Sequence, residues 1–252
     1  MSKSPDGNKS RPIDQGYYET SGYFEDAGRH LTDPGSRFQR YRAREVIRLC
    51  GPLRGVRAVD LGCGWGTVSF ALARQAEQVV GVDFAEASVR FCASRHDLHS
   101  HSNLEFVQAD ARRTGLQSGA WDLVVAADLV EHLYPPDTID VYRECLRLLR
   151  PGGRLVIWTP SPTHFLERLR RRGVLRPDPT HVDCKALPRV RSELEACGFR
   201  VSEARHVPSH LPGLRTLEWI GQRWIPFLRR RVAVVGLRPV DMPGDYLDGC
   251  SP

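Results

Sequence analysis

Val59-Asp60-Leu61-Gly62-Cys63-Gly64-Trp65-Gly66-Thr67 is the stretch whose residue types and spacing are built for chemistry. An apolar run enters it at Val56–Leu61, and a helix-patterned segment, Val68–Arg74, leaves it. Gly62, Gly64 and Gly66 let a backbone turn sharply and approach a ligand closely, because no Cβ intervenes. The N–H groups opening the next helix are expected to face that ligand. A dinucleotide turn wants G-x-G-x-x-G with a pyrophosphate on the helix N-terminus. Here the spacing is G-x-G-x-G, with Thr67 where the third glycine would stand. Asp60, just ahead of the turn, repels a diphosphate and attracts an amine. The residues therefore favour a cofactor with an amino group and a ribose and no phosphate. Asp83 ends the next apolar segment about 20 residues on, the spacing of a carboxylate that accepts ribose hydroxyls. Phe84 follows it and is placed to border the nucleoside.

These residues need a parallel sheet to hold them. Gln78–Asp83, Leu104–Asp110, Trp121–Ala127 and Arg154–Thr159 read as further strands, each separated by a helical pattern or a loop. A helix is expected over Arg37–Cys50, after the turn and cap at Asp33–Ser36. Tyr134–Asp137 reads as a turn and Pro151-Gly152-Gly153 as a helix end. A basic amphipathic helix is expected near Thr163–Arg172, and another at Leu187–Cys197, stopped by Gly198. Phe199–His206 and Arg231–Leu237 are strands six and seven. Between them Leu214–Leu228 carries Leu217, Trp219, Ile220, Trp224, Ile225 and Phe227, which suits a wall of a substrate pocket or a homodimer face.

At 252 residues with 41% hydrophobic and 26% charged content, the expectation is one domain with additions. Residues 1–14 read as a disordered tail and 241–252 as a loose one. Residues 15–240 read as one domain, with 15–50 as an N-terminal lid and helix and 160–230 as a substrate-side cover and insertion. Tyr17, Tyr18, Tyr23 and Phe24 belong to that lid or pack on the sheet edge. No apolar run approaches the roughly 20 residues that span a bilayer. No signal-peptide core is visible, and seven scattered cysteines without a C-x-x-C pair point to free thiols in a cytoplasmic, reducing setting. The net charge of +6 is concentrated at Arg168–Arg176 and Arg229–Arg231. Without interleaved aromatic residues these runs read as solvated surface rather than a nucleic-acid site. His96, His99 and His101 lie in a polar stretch and read as an exposed loop.

The phrase Val-Asp-Leu-Gly-Cys-Gly-Trp-Gly resembles the first motif of class I S-adenosyl-L-methionine (SAM) dependent methyltransferases. Leu149-Arg150-Pro151-Gly152-Gly153-Arg154-Leu155 is a further match, and the resemblance covers about residues 40–240. It implies a Rossmann-like α/β fold, a doubly wound seven-stranded sheet with one antiparallel strand, a helical N-terminal lid and an apolar helical insertion between strands six and seven. It implies SAM on Asp60, Gly62, Gly64, Gly66, Asp83 and Phe84, with Asp110 and the Ala111 amide at the adenine and Asp128 at the edge of strand four. Asp128-x-x-Glu131-His132 resembles the Glu-x-x-Glu-His signature of ubiquinone-biosynthesis O-methyltransferases and of small-RNA 2′-O-methyltransferases. Those families hold a divalent ion there, and the RNA enzymes add a later histidine, whose comparable place here is His181. The implied metal ligands are Glu131, His132 and His181. Magnesium or a transition ion suits such a mixed set. Asp128 departs from the signature by one methylene.

Methyl transfer from a sulfonium is an in-line displacement, and the acceptor proton must leave through a base or a metal-bound hydroxyl. His132 and His181 are the base candidates when no metal takes part. The expected reaction is O-methylation of a small hydroxylated metabolite. A metal-dependent RNA 3′-terminal 2′-O-methyltransferase, a nicotinamide-dependent oxidoreductase and a non-catalytic module of the same fold are the rival expectations.

Overall fold

The computed structural model describes residues 17, 33, 35–99, 101–176 and 178–241. Both tails, apart from Asp241, and the lid, apart from the helical Tyr17, lie outside the described residues. So do the side chains of His96 and His99.

Continuous apolar runs, buried on both faces, make the centre of the sheet, as parallel strands require. The strands are β1 (Arg57–Leu61), β2 (Gln78–Asp83), β3 (Leu104–Gln108), β4 (Trp121–Ala127), β5 (Leu149–Pro160), β6 (Arg200–Val207) and β7 (Arg231–Leu237). Their order is β3-β2-β1-β4-β5-β7-β6. The first five run parallel, and β7 lies antiparallel to both β5 and β6. The seven-stranded, doubly wound sheet with one antiparallel strand is the one expected.

Side chains alternate across the pleat, so each strand feeds two cores. Ala58, Val79, Leu123 and Trp158 lie on one face with Tyr41 and Val46 of helix α1 (Arg37–Cys50) and Phe70 and Leu72 of α2 (Thr67–Ala73). Val59, Val80, Val124 and Ile157 lie on the other with Val141 and Leu146 of α4 (Pro135–Leu148) and Val190 and Leu194 of α6 (Leu187–Ala196). Helix α3 (Glu86–His99) follows β2. Short α5 (Phe165–Arg171) follows β5, and α7 (Pro212–Gly221) occupies the connection from β6 to β7.

Two local expectations are corrected. Tyr134–Asp137 is not a free turn: α4 begins at Pro135, where a missing N–H costs nothing because the first helical amides have no intrahelical acceptor. Pro151-Gly152-Gly153 does not sit outside the sheet. Leu149 already pairs with Trp121, and Arg154 pairs with Leu123, so two steps along β4 face five along β5. The Pro-Gly-Gly residues form the bulge. Gly152 takes φ 79°, and a Cβ on Gly153 would come within 3.1 Å of the Arg150 and Trp121 carbonyl oxygens.

Candidate functional site

The strand order reverses between β1 and β4, and open α/β sheets bind ligands outside the strand ends at such a point. All the candidate residues fall at this carboxyl edge, in two groups.

The first group is the glycine turn. Gly62, Gly64 and Gly66 have φ of 68°, 51° and 71°, the left-handed region that side chains resist. They differ in what a side chain would meet. A Cβ on Gly62 would lie 2.9 Å from Leu129 Cδ1, and one on Gly66 would meet the Phe70 ring and Cys92 Sγ. A Cβ on Gly64 would meet nothing within 4 Å. Gly64 is thus the glycine that opens on space a ligand can enter.

The amides of the turn itself are already paired. Gly62 and Cys63 both donate to the Val82 carbonyl, Gly66 donates to Cys63, and Gly64 donates to Asp83 Oδ2 at 2.8 Å. These donors are spent inside the turn and are not aimed at a ligand. A diphosphate finds none of the four, which counts against a dinucleotide.

Asp83 also accepts from the Ala85 amide at 3.0 Å, and burial pushes its carboxyl up. Hydrogen bonds from Ala85, Gly64, Ser88 and Phe84 oppose that shift and favour the ionised carboxylate. Ser88 Oγ and Cys92 Sγ donate to the Gly64 carbonyl, tying α3 to the turn. Asp60 is buried and accepts from Ser69 Oγ at 2.6 Å; burial pushes it up to about 6. Phe84 and Ala111, next in sequence to Asp83 and Asp110, are half-buried. Asp110 lies past the end of β3, half-exposed, with its carboxylate held by Arg112, which also reaches Asp137 at 2.7 Å. An adenine amine bound as expected at Asp110 would have to share that carboxylate with the Arg112 guanidinium.

The second group follows β4. Asp128 is the one non-glycine with positive φ among the described residues, at 55°. Its carboxylate accepts from Arg42 Nε of α1 at 2.7 Å and from Arg231 Nη1 of β7, and Arg42 also caps the Ala127 carbonyl. Burial alone would raise this carboxyl, but Arg231 and Arg42 outweigh it and hold it down to about 2. Asp128 therefore lies between two cations and stands apart from the three-residue donor cluster.

That cluster is Glu131, His132 and His181, whose ligating atoms lie within 4.8 Å of one another. Glu131 is 1% exposed; Oε2 accepts from Thr159 Oγ1 at 2.9 Å, and Oε1 is buried with no hydrogen-bond partner. Burial, helped by Asp128, pushes its carboxyl up to about 7. His132 Nδ1 lies 3.0 Å from the Thr180 carbonyl. A carbonyl only accepts, so Nδ1 carries the proton and Nε2 carries the lone pair. Burial and the neighbouring His181 push the His132 pKa down, keeping the ring neutral. The two imidazoles meet edge to face at 5.1 Å.

His181 is drawn the other way. Burial disfavours its charge, but hydrogen bonds with Cys184 and Glu167 and the charges of Glu131 and Asp178 prevail, and its pKa rises. Nδ1 lies 3.8 Å from Glu167 Oε2, and Nε2 lies 3.6 Å from Asp178 Oδ2. A cleft of about 430 Å³ runs beside it, lined by Glu167, Arg170, Asp178, His181 and Cys184 among others. Arg42, Arg231, Thr159, Thr180 and Glu167 all bear on this site and were not singled out from sequence. Only Thr180 had a local signal, its place next to His181.

Residues 58–153 match a family described as a methyltransferase domain. The ubiquinone biosynthesis O-methyltransferase of Bordetella avium (strain 197N) is 35% identical over 143 residues, which are 53% of this chain and 58% of that protein. The chain thus spans little more than half the length of this curated relative. Among solved structures, a SAM dependent methyltransferase from Archaeoglobus fulgidus superposes with a TM-score of 0.62 at 23% identity, covering 83% of this chain and 97% of that one. The PH0226 protein from Pyrococcus horikoshii OT3 gives 0.64 at 21%, covering 85% and 98%. At such identities the likeness is one of fold.

Proposed function

Residues 58–153 match a methyltransferase-domain family, and we propose that the chain is a class I, SAM-dependent enzyme that transfers the SAM methyl group to a hydroxyl oxygen of a small acceptor. The single observation that carries the acceptor half is Glu131 Oε1, buried and unpartnered on a carboxylate that clusters with His132 and His181. A buried acceptor left unpaired in the free protein is stabilised by a ligand that brings a donor. The acceptor O–H is such a donor. As the oxygen attacks, the O–CH3 bond forms, the S–CH3 bond breaks and its electron pair stays on sulfur. The proton passes to Glu131, whose pKa near 7 suits a general base. His132 Nε2 is the alternative acceptor for that proton, and His181, as imidazolium, stabilises the developing alkoxide or phenolate. The relative named for O-methylation in ubiquinone biosynthesis supports oxygen as the nucleophile and a hydroxylated, quinone-type acceptor.

A second reading is favoured by the donor cluster itself. Glu131, His132 and His181 would hold a divalent ion, and such an ion lowers the pKa of a bound hydroxyl. His132 fits: its Nδ1–H is fixed by a carbonyl, the arrangement that orients a ligating imidazole. His181 fits after losing its proton, and two imidazoles with one carboxylate suit a transition ion or magnesium.

Calorimetry tests both. S-adenosylhomocysteine should bind the wild type and not Asp83→Ala, and unchanged binding in that variant would refute the ribose assignment. Manganese and magnesium titrated into metal-stripped, S-adenosylhomocysteine-saturated protein separate the two acceptor readings. Saturable binding lost in His132→Ala/His181→Ala establishes the ion and directs the substrate screen to adjacent hydroxyls. Absence of binding leaves Glu131 as base, and Glu131→Gln should then abolish turnover while cofactor affinity stays.

A further inference from the structure

The segment between β6 and β7 is fastened from beneath. Glu218 of α7 is fully buried; Oε1 meets His164 Nε2 at 2.9 Å and Oε2 accepts from the Ser209 amide. Thr163 Oγ1 donates to the Pro226 carbonyl at 3.0 Å. Its outer face is the reverse of a soluble surface. Leu217 is 57% exposed, Trp219 69%, Ile220 56%, Trp224 72% and Phe227 45%. Folding has secured this segment and still left its largest apolar groups in water. The Leu214–Leu228 stretch therefore does not line the cleft beside His181.

Within the two stretches that carry this face the exposed charge has one sign, while the exposed Asp178 lies in the cleft with Arg170 and Arg171. From residue 204 to residue 240 the sequence contains a single carboxylate, Glu218, and it is buried. The His164–Glu218 contact joins this segment to the N-cap of α5. Along residues 165–176 the only carboxylate, Glu167, is also buried and faces Arg170. Arg168, Arg171, Arg172, Arg176 and Arg223 are exposed, with Val174 beside them at 66%. These two stretches thus combine exposed aliphatic and indole groups with arginines and show no exposed carboxylate.

We propose that this face is a peripheral docking site for an anionic lipid bilayer, with α7 lying in the interfacial plane. Tryptophan favours the boundary between acyl chains and headgroups, and arginines beside an apolar face draw it to anionic lipid. A second copy is the poorer occupant: a two-fold interface would set each arginine-rich border near its own counterpart. Position adds to the argument. Pro160 pairs with Arg231, so the segment ends at the carboxyl edge that carries Asp128 and Glu131. An acceptor dissolved in the bilayer would then meet the protein at the edge where the proposed chemistry occurs.

The test needs neither SAM nor acceptor, so it stands or falls apart from the methyl-transfer reading. The full chain is sedimented with vesicles of phosphatidylcholine alone and of phosphatidylcholine mixed equally with phosphatidylglycerol, while tryptophan emission is followed. We expect pelleting and a blue shift with the mixed vesicles, weakening with salt. Trp219→Ser/Trp224→Ser should pellet less by on the order of tenfold. Its melting curve should be unchanged, because both indoles are exposed. Arg172→Gln/Arg176→Gln/Arg223→Gln should lose the preference for phosphatidylglycerol. Wild-type protein that stays in the supernatant with both vesicles overturns the proposal, as does pelleting that survives the double tryptophan change. A concentration-dependent dimer abolished by that change, without vesicle binding, assigns the face to a second copy instead.

Discussion

At Asp60 folding and binding ask for opposite charge. Burial lifts its folded pKa from 3.8 to about 6, so the fold favours the protonated form. The stability this group contributes is full below about pH 4 and is lost as pH rises through about 6. Asp60→Asn should therefore melt higher than the wild type at pH 8, by on the order of 1–3 kcal/mol, and no higher at pH 4. A cofactor amine wants the ionised carboxylate. S-adenosylhomocysteine affinity should fall about tenfold per pH unit below about 6, and Asp60→Asn should flatten that profile while binding more weakly above it. A wild-type affinity independent of pH between 4 and 7 would remove Asp60 from the cofactor. Asp60 could be named from sequence because its setting is local: it ends an apolar run just before the turn. Asp128 could not be read in the same way. Its two arginines lie 86 and 103 residues away, and only the closed sheet brings them to it.

At the scale of the element, the glycine turn separates two jobs that its spacing cannot distinguish. Gly62 serves the fold, since a Cβ there would strike Leu129. Gly64 is the position on which the proposed cofactor reading turns, since a Cβ there points into open space. Gly62→Ala should lower stability by about 2–4 kcal/mol, the left-handed backbone and the clash together. Gly64→Ala should cost only the backbone term of about 1–2 kcal/mol, yet lose most S-adenosylhomocysteine affinity. Melting curves beside calorimetric titrations check both; a Gly64→Ala protein that binds normally would move the ligand elsewhere. Strand, turn and helix here were legible because each is specified within a few residues. The Pro-Gly-Gly stretch was misread for the opposite reason. The same three residues that stop a helix also form a bulge, and which they do depends on the register with Trp121. The direction of the Leu214–Leu228 face was also hidden, because hydropathy reports that a segment is apolar but not which side is covered.

For the whole molecule, the sheet order was legible only through resemblance, since no periodicity in a chain says that its last strand inserts between two earlier ones. β7 does so, pairing with β5 on one side and β6 on the other. A chain ended at Arg230 should lose more than one strand: β6 has no other partner, and Asp128 loses Arg231. Calorimetry should find no cooperative melt and no S-adenosylhomocysteine binding in that truncation; a native-like transition would show the first five strands to be self-sufficient. The insertion also bears on the order of events at the ribosome. Synthesis delivers the glycine turn, Glu131 and His181 long before Arg231. A nascent chain can thus have its cofactor turn in place while Asp128, in its left-handed conformation, still lacks one of its two cations. The sheet edge at Asp128 closes only after β7 has been made and has entered the sheet, so the surroundings of that residue take shape later than the turn does.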